Sequence, residues 1–194
     1  RPNHNKVTEE EEISRVIPVI KELVKVLDIP VSIDTSKASV AKAAIDAGAL
    51  MINDVWGFKK DPDIAELAAT TGVFCCLMHN RDNTNYSNLI YDIKEELLES
   101  INIALSAGIK KEKLIIDPGI GFGKTVDQNL QVMANLSEFR ELGYPLLLGA
   151  SRKSMIGISL NLPLEERLEG TIATTVMGIN SGAAIIRVHD VKEN

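Results

Sequence analysis

Apolar residues recur at Ile13, Val16, Ile17, Ile20, Leu23, Val24 and Leu27, the three- and four-residue spacing of one helical face, and predict a helix over 8–27. Thr8 with Glu11 three positions on forms a capping-box pattern at its start, and Pro18 inside it predicts a kink. A β-rich run at 30–34 follows, then an alanine-rich helix over 37–47 that closes at Gly48. The alternation repeats along the chain. Strand-like runs fall at 50–55, 73–79, 114–117, 145–150 and 184–190, and helical segments at 62–71, 89–107, 127–142 and 165–181. Gly72, Gly108, Gly143 and Gly182 each stand between a helix and the next strand.

Short strands rich in Val, Ile and Leu, alternating with helices, predict a parallel sheet covered by helices. The fold class is α/β, and a doubly wound sheet or a (β/α)8 TIM barrel would satisfy the pattern. Six strands and six helices are read, two strands and two helices short of a complete barrel. No linker, low-complexity segment or break in composition divides residues 1–194, so one domain is expected.

Composition narrows the picture further. With 45% hydrophobic and 25% charged residues, the chain can bury a core and is not disordered. The net charge of −6 disfavours broad nucleic-acid binding, though a local cationic pocket is compatible with it. No apolar run reaches the roughly 20 residues of a membrane span. The opening Arg-Pro-Asn-His-Asn-Lys, followed by acidic residues, does not read as a signal peptide. Cys75 and Cys76 are adjacent on one strand and point to opposite faces, so they read as small buried residues rather than a disulfide. A cytoplasmic setting is expected.

The chemistry lies where the apolar strands end. Their polar terminations are Asp34, Asn53-Asp54, His79-Asn80, Asp117, Ser151-Arg152-Lys153, and Arg187 with His189-Asp190. One such residue is as easily a cap as a ligand. In either parallel architecture, however, all C-terminal strand ends share one face, and ligands bind there. Asp34, Asn53 and Asp117 supply acceptors and an amide, which suit a heterocycle carrying an amino group and a ring N–H. Arg152, Lys153, Arg187 and His189 suit phosphate oxygens or a carboxylate. Arg187 and His189, two apart on one strand, are expected to face the same side.

Other polar features have plainer readings. His79 reads as a hydrogen-bonded strand-end histidine, Trp56 and Phe58 as cover for the sheet edge, and His4 as solvated. The glutamates at 9–12 complement a helix N-terminus. Residues 117–125, Asp-Pro-Gly-Ile-Gly-Phe-Gly-Lys-Thr, end like a P-loop, but proline stands where that motif requires its first glycine. The glycines are better suited to bringing backbone against a flat ligand.

Ser32-Ile33-Asp34-Thr35, Ile52-Asn53-Asp54-Val55, Asp117 through Lys124, Gly149-Ala150-Ser151-Arg152-Lys153-Ser154 and Arg187-Val188-His189-Asp190 resemble the successive motifs of bacterial dihydropteroate synthases, in order and spacing. Arg1-Pro2 resembles the end of that family's Ser-Thr-Arg-Pro-Gly loop, with Asn3 where glycine is usual. The resemblance covers almost the whole chain.

It implies a (β/α)8 barrel whose first two strands and last helix fall outside residues 1–194. The implied activity joins 6-hydroxymethyl-7,8-dihydropterin diphosphate to p-aminobenzoate, giving 7,8-dihydropteroate and diphosphate in folate biosynthesis. By the same resemblance Asp34, Asn53, Met78, Asp117, Phe122 and Lys153 bind the pterin, and Arg187 and His189 the diphosphate. Arg1, Pro2, Phe122, Lys153 and Ser154 lie at the p-aminobenzoate position, which sulfonamides mimic. Asp34, Lys153, Arg187 and His189 are the expected catalytic residues. Mg2+ is the expected cofactor, with its family ligand upstream of Arg1, and a homodimer the expected assembly. The resemblance implies no nucleic-acid or membrane partner. Two alternatives stay open: a methyltetrahydrofolate:corrinoid methyltransferase-like enzyme, and a non-catalytic pterin-binding fragment.

Overall fold

The computed structural model describes residues 7–194, so Arg1 and Pro2, expected near p-aminobenzoate, lie outside the described residues. The described residues divide into two compact units, residues 7–78 with 99–114, and residues 79–98 with 115–194.

In the first unit, α1 (Glu9–Val26) begins at Thr8, whose hydroxyl accepts from the Glu11 amide at 3.2 Å. Only this half of the predicted capping box forms, because the Glu11 carboxylate pairs instead with Arg15, one turn on. Pro18 lies inside the helix as read. There follow β1 (Ser32–Asp34), α2 (Ala38–Asp46), β2 (Met51–Asp54), α3 (Asp63–Thr71) and β3 (Phe74–Met78). The unit also takes the second half of α4 (Leu89–Ser106).

The three strands are parallel, with Ile33 beside Ile52 and Ile52 beside Cys75. Ile52, Cys75, Cys76, Leu77 and Met78 are all 0% exposed, which is burial on both faces of a sheet and explains the continuous apolar runs. Both cysteines are buried. Burial pushes the Cys75 thiol up to about 12. Val40, Ala41 and Ala44 form the buried side of α2, small enough for close packing on the sheet.

In the second unit, β4 (Leu114–Asp117) leads through the glycine-rich segment to α5 (Val126–Ala134). A complete capping box starts α5, with Thr125 and Gln128 each bonding the other's amide. The helix expected over 127–142 is two pieces, since α5 stops at Ala134 and residues Leu136–Leu142 tighten into a 3-10 turn. Then come β5 (Leu147–Leu148), α6 (Ser154–Leu160), α7 (Leu168–Asn180) and β6 (Ile185–Ile186), with β5 and β6 parallel. A β-carbon on Gly178 would lie 2.4 Å from Leu148 Cδ2, so α7 packs on β5 at a distance only glycine permits.

Two expectations need correction. Among the described residues there are seven α-helices, not six, because Ser154–Leu160, which the sequence pattern marks only as following a strand end, is helical. The strands expected at 145–150 and 184–190 are regular only over Leu147–Leu148 and Ile185–Ile186. Arg187 still donates its amide to the Leu148 carbonyl at 2.9 Å, but the His189 amide goes to the Ser151 hydroxyl, a side chain that ends the ladder.

Candidate active site

In the first unit Asp34 closes β1, and its register partner on β2 is Asn53. The two thus stand one interstrand spacing apart, about 4.8 Å. Asp34 is exposed and Asn53 buried, and the Thr35 amide donates to the Asn53 carbonyl at 3.1 Å. Met78 closes β3 and is buried.

Asp54, next to Asn53, has a different task. Its carboxylate accepts from the Trp56 amide at 2.9 Å, from the Phe58 amide at 2.8 Å and from the Ser36 hydroxyl. Burial holds its carboxyl above the ordinary value, against the pull of those bonds. It organises the turn after β2, in which Phe58 takes a left-handed φ of 67°. Phe58 is 1% exposed and belongs to the core, not to an edge cover. Trp56 lies under the Lys60 ammonium, 3.5 Å from its ring centroid.

The second unit holds the denser constellation. Asp117 closes β4 with 1% exposure, and one carboxylate oxygen accepts from the Gly119 amide at 2.8 Å. The other accepts from the Arg187 guanidinium at 3.2 Å. The backbone carbonyl of Asp117 takes the His79 amide at 2.9 Å. Gly119, Gly121 and Gly123 all adopt left-handed φ, and a β-carbon on Gly119 would stand 2.0 Å from the His79 carbonyl oxygen. Glycine is required there twice over.

Lys153 caps α6 and reaches back to this loop, donating to the Ile120 carbonyl at 2.5 Å with its Nζ 4.2 Å from the Phe122 ring centroid. Ser154, the first residue of α6, is exposed. The Ser151 hydroxyl lies 2.9 Å from His189 Nδ1. Arg152, expected among the anion-binding cations, is turned onto Asp190 in a two-pronged pair and holds that carboxyl below its usual range.

Lys124, the apparent P-loop lysine, points into its own loop. Its ammonium donates to the carbonyls of Gly119 at 3.0 Å and Phe122 at 3.1 Å, and lies 2.9 Å from His79 Nδ1. His79 is buried, and its Nε2 stands 3.2 Å from the Glu96 carboxylate, which also takes Arg81 Nε at 2.6 Å. Burial would raise the Glu96 carboxyl, but its hydrogen bonds to His79 and Arg81 hold it down at about 2. Burial draws Lys124 down to about 7, against the attraction of Asp117. Sequence reasoning singles out neither Lys124 nor Glu96 for this role. Its only trace is the four-residue spacing of Asp92 and Glu96 on α4, which sets two acids on one face toward Arg81.

Within this unit, then, the structure joins Asp117 to Arg187, Phe122 to Lys153, and Ser151 to His189. Among the described residues no group of three His, Cys, Asp or Glu side chains gathers that could by itself hold a metal ion. None of the helices among the described residues is long and apolar enough to cross a membrane.

Parallel strands alternating with helices, with polar residues at the strand ends, define an α/β fold of the enzyme type. The family described as "Pterin binding enzyme" matches residues 1–189. A dihydropteroate synthase of Clostridium beijerinckii is 64% identical over 195 residues, which span 100% of this chain and 72% of that protein. The chain belongs to the dihydropteroate synthase family, transferases of folate biosynthesis. The crystal structure of the Clostridium difficile enzyme in the presence of pteroic acid superposes with a TM-score of 0.98 at 53% identity, covering 100% of this chain and 74% of that one. The Xanthomonas albilineans enzyme with 4-aminobenzoic acid gives 0.95 at 40% identity, covering 100% and 71%. These relatives place the chain in the (β/α)8-barrel fold class expected from its sequence.

Proposed function

We propose that this chain condenses 6-hydroxymethyl-7,8-dihydropterin diphosphate with p-aminobenzoate, through the residues expected from its sequence. The observation that carries the residue assignment is the Asp117–Arg187 contact. It sets a buried acceptor for an amino-bearing ring against a cation suited to the diphosphate on that ring's methylene.

Asp34, Asn53 and Asp117 are assigned to the pterin, with Met78, Phe122 and Lys153 against it. Arg187 and His189 balance charge on the departing diphosphate. Its C–O bond breaks and leaves a methylene cation delocalised into the ring, which the Asp34 and Asp117 carboxylates stabilise. The neutral aromatic amine of p-aminobenzoate then forms the new C–N bond and loses a proton. Phe122, Lys153 and Ser154 are assigned to p-aminobenzoate, with Arg1 and Pro2, and this is the position a sulfonamide would take. Mg2+ is proposed as the accompanying ion. A homodimer in the cytoplasm is proposed as the working form, supported by the exposed apolar Val176, Met177 and Ile179 on α7.

The test compares Arg187→Ala with Lys153→Ala in the intact enzyme. Arg187→Ala should weaken binding of the pterin diphosphate far more than of the pterin alone, and Lys153→Ala should act on turnover and on KM for p-aminobenzoate. Wild-type kinetics in both variants would overturn the assignment. The corrinoid-methyltransferase alternative has no use for an anion-binding Arg187, so the first result also separates the two.

A further inference from the structure

We infer that Lys124 is a positioning residue for this reaction: it locks the loop that carries Phe122 and anchors Lys153 onto a buried relay of His79 and Glu96. The inference rests on the synthase reading of the site and adds a residue to it.

A lysine ammonium has three N–H donors, and three acceptors surround Lys124 Nζ: the carbonyls of Gly119 and Phe122 and the Nδ1 of His79, all within 3.1 Å. If the ammonium fills Nδ1 as a donor, the histidine proton must sit on Nε2, 3.2 Å from the Glu96 carboxylate, whose negative charge favours it there. Arg81 then balances Glu96. All three ammonium donors of Lys124 thus have an acceptor within reach, and the Glu96 carboxylate favours the histidine proton on Nε2. Arginine could not replace the lysine, since a planar fork cannot direct three bonds to acceptors spread around a tetrahedral nitrogen.

Both ends of the turn from Gly119 to Phe122 are therefore tied to one nitrogen. A second clamp lies just beyond, where the Tyr86 hydroxyl donates to the Gly123 carbonyl at 2.7 Å. Inside the clamped turn, Ile120 offers its carbonyl to Lys153 and Phe122 its ring face to the same ammonium. The position of Lys153, the residue assigned to p-aminobenzoate, is thus inherited from Lys124. The charged and titratable groups around Lys124 are His79, Asp117, Lys153, Glu96 and Arg81. Loss of the Lys124 proton removes the third donor, so the lock is intact below the Lys124 titration and weakens above it.

The test uses Lys124→Met and Lys124→Arg in the intact enzyme, with three measurements. In Lys124→Met, kcat/KM for p-aminobenzoate should fall by about 10- to 100-fold, the scale set by misplacing a reacting partner by an ångström or so. Hydrogen exchange of the amides at 119–123 should accelerate at least about tenfold while the melting temperature shifts little, which global destabilisation would not produce. A decline in kcat/KM on raising the pH through the Lys124 titration, present in the unmodified enzyme, should be missing from the variant. Lys124→Arg should not rescue it. Should Lys124→Met fail to fold, Lys124→Gln, which keeps two donors, should show the same changes at smaller size. An unmodified enzyme that makes no dihydropteroate would overturn the synthase reading and this inference with it. An active unmodified enzyme, with loop exchange and p-aminobenzoate kinetics unchanged in the variants, would overturn the role of Lys124 alone.

Discussion

Arg187 and Asp117, separated by 70 residues in sequence, meet through a 3.2 Å hydrogen bond in which the carboxylate is 1% exposed and the arginine side chain 39% exposed. The pair is thus buried on one side and open on the other. Each carboxylate oxygen already accepts one bond, from Gly119 or from Arg187, and keeps a second lone pair, so a ring N–H donor must share an oxygen already in use. Two residues assigned to different parts of one substrate are therefore coupled before it arrives. Their separate contributions to binding will not add.

Asp117→Ala should weaken pterin binding by about 1–3 kcal/mol, the cost of leaving buried donors unpaired. The cycle completed with Arg187→Ala should give a coupling energy of at least about 0.5 kcal/mol for the pterin diphosphate. Calorimetry on the single and double variants measures both. Additive losses would show that the contact carries no energy.

Asp54 lies beside Asn53 yet is assigned no ligand, and its removal should read as a stability defect. Asp54→Ala strips the acceptor from two backbone amides in the turn at Trp56 and Phe58, at a cost of about 2–4 kcal/mol. Asp54→Asn, with one oxygen left, should lose less. Urea unfolding of the two variants gives the order, and equal stabilities would contradict the turn-organising role.

The rhythm of strands and helices is legible in the sequence because most strands are short apolar runs and the helices carry one-sided apolar stripes. The polar strand ends are legible too, since Asp34, Asn53 and Asp117 interrupt those runs. What escapes is set by contacts distant in sequence. The ladder at β6 stops because His189 bonds to Ser151, 38 residues away, and α6 hides behind a Ser-Arg-Lys-Ser run that reads as a strand terminus. Lys124 looks like half of a phosphate-binding motif, because its partner His79 lies 45 residues upstream and its other acceptors are backbone carbonyls that no side-chain pattern records. Arg152 looks like an anion ligand, and only the fold shows it committed to Asp190.

Two glycines with left-handed backbone angles should differ sharply when replaced by alanine. Gly108 has φ +97° but nothing within 4 Å of the β-carbon that alanine would add, so Gly108→Ala should cost about 1 kcal/mol in backbone strain. Gly119 has φ +73°, and the added β-carbon would press to 2.0 Å on the backbone oxygen of His79, which cannot rotate away. Gly119→Ala should therefore displace the loop, destabilise by several times as much, and abolish turnover. Denaturant unfolding with a parallel assay separates the two, and matched losses would mean that the loop yields freely.

Glu96 contributes a pH-dependent part of the second unit's stability. Its carboxyl is held at about 2 in the folded protein by His79 and Arg81, against an ordinary value of 4.5. Between those values the unfolded chain binds more protons than the folded one, so stability rises with pH across the interval. The contribution is complete above about pH 5 and is lost as pH falls through 4.5 toward 2. Glu96→Gln cannot titrate. At pH 7 it should be less stable than the unmodified protein, because Arg81 and His79 lose a charged partner. As the pH is lowered from 5 to 3 the two stabilities should converge, the unmodified protein losing what the variant never had. Urea midpoints at pH 3, 4, 5 and 7 trace the two curves. Parallel curves over that range would show that the charge on Glu96 does no work in the fold, and would remove the anchor from which His79 holds Lys124.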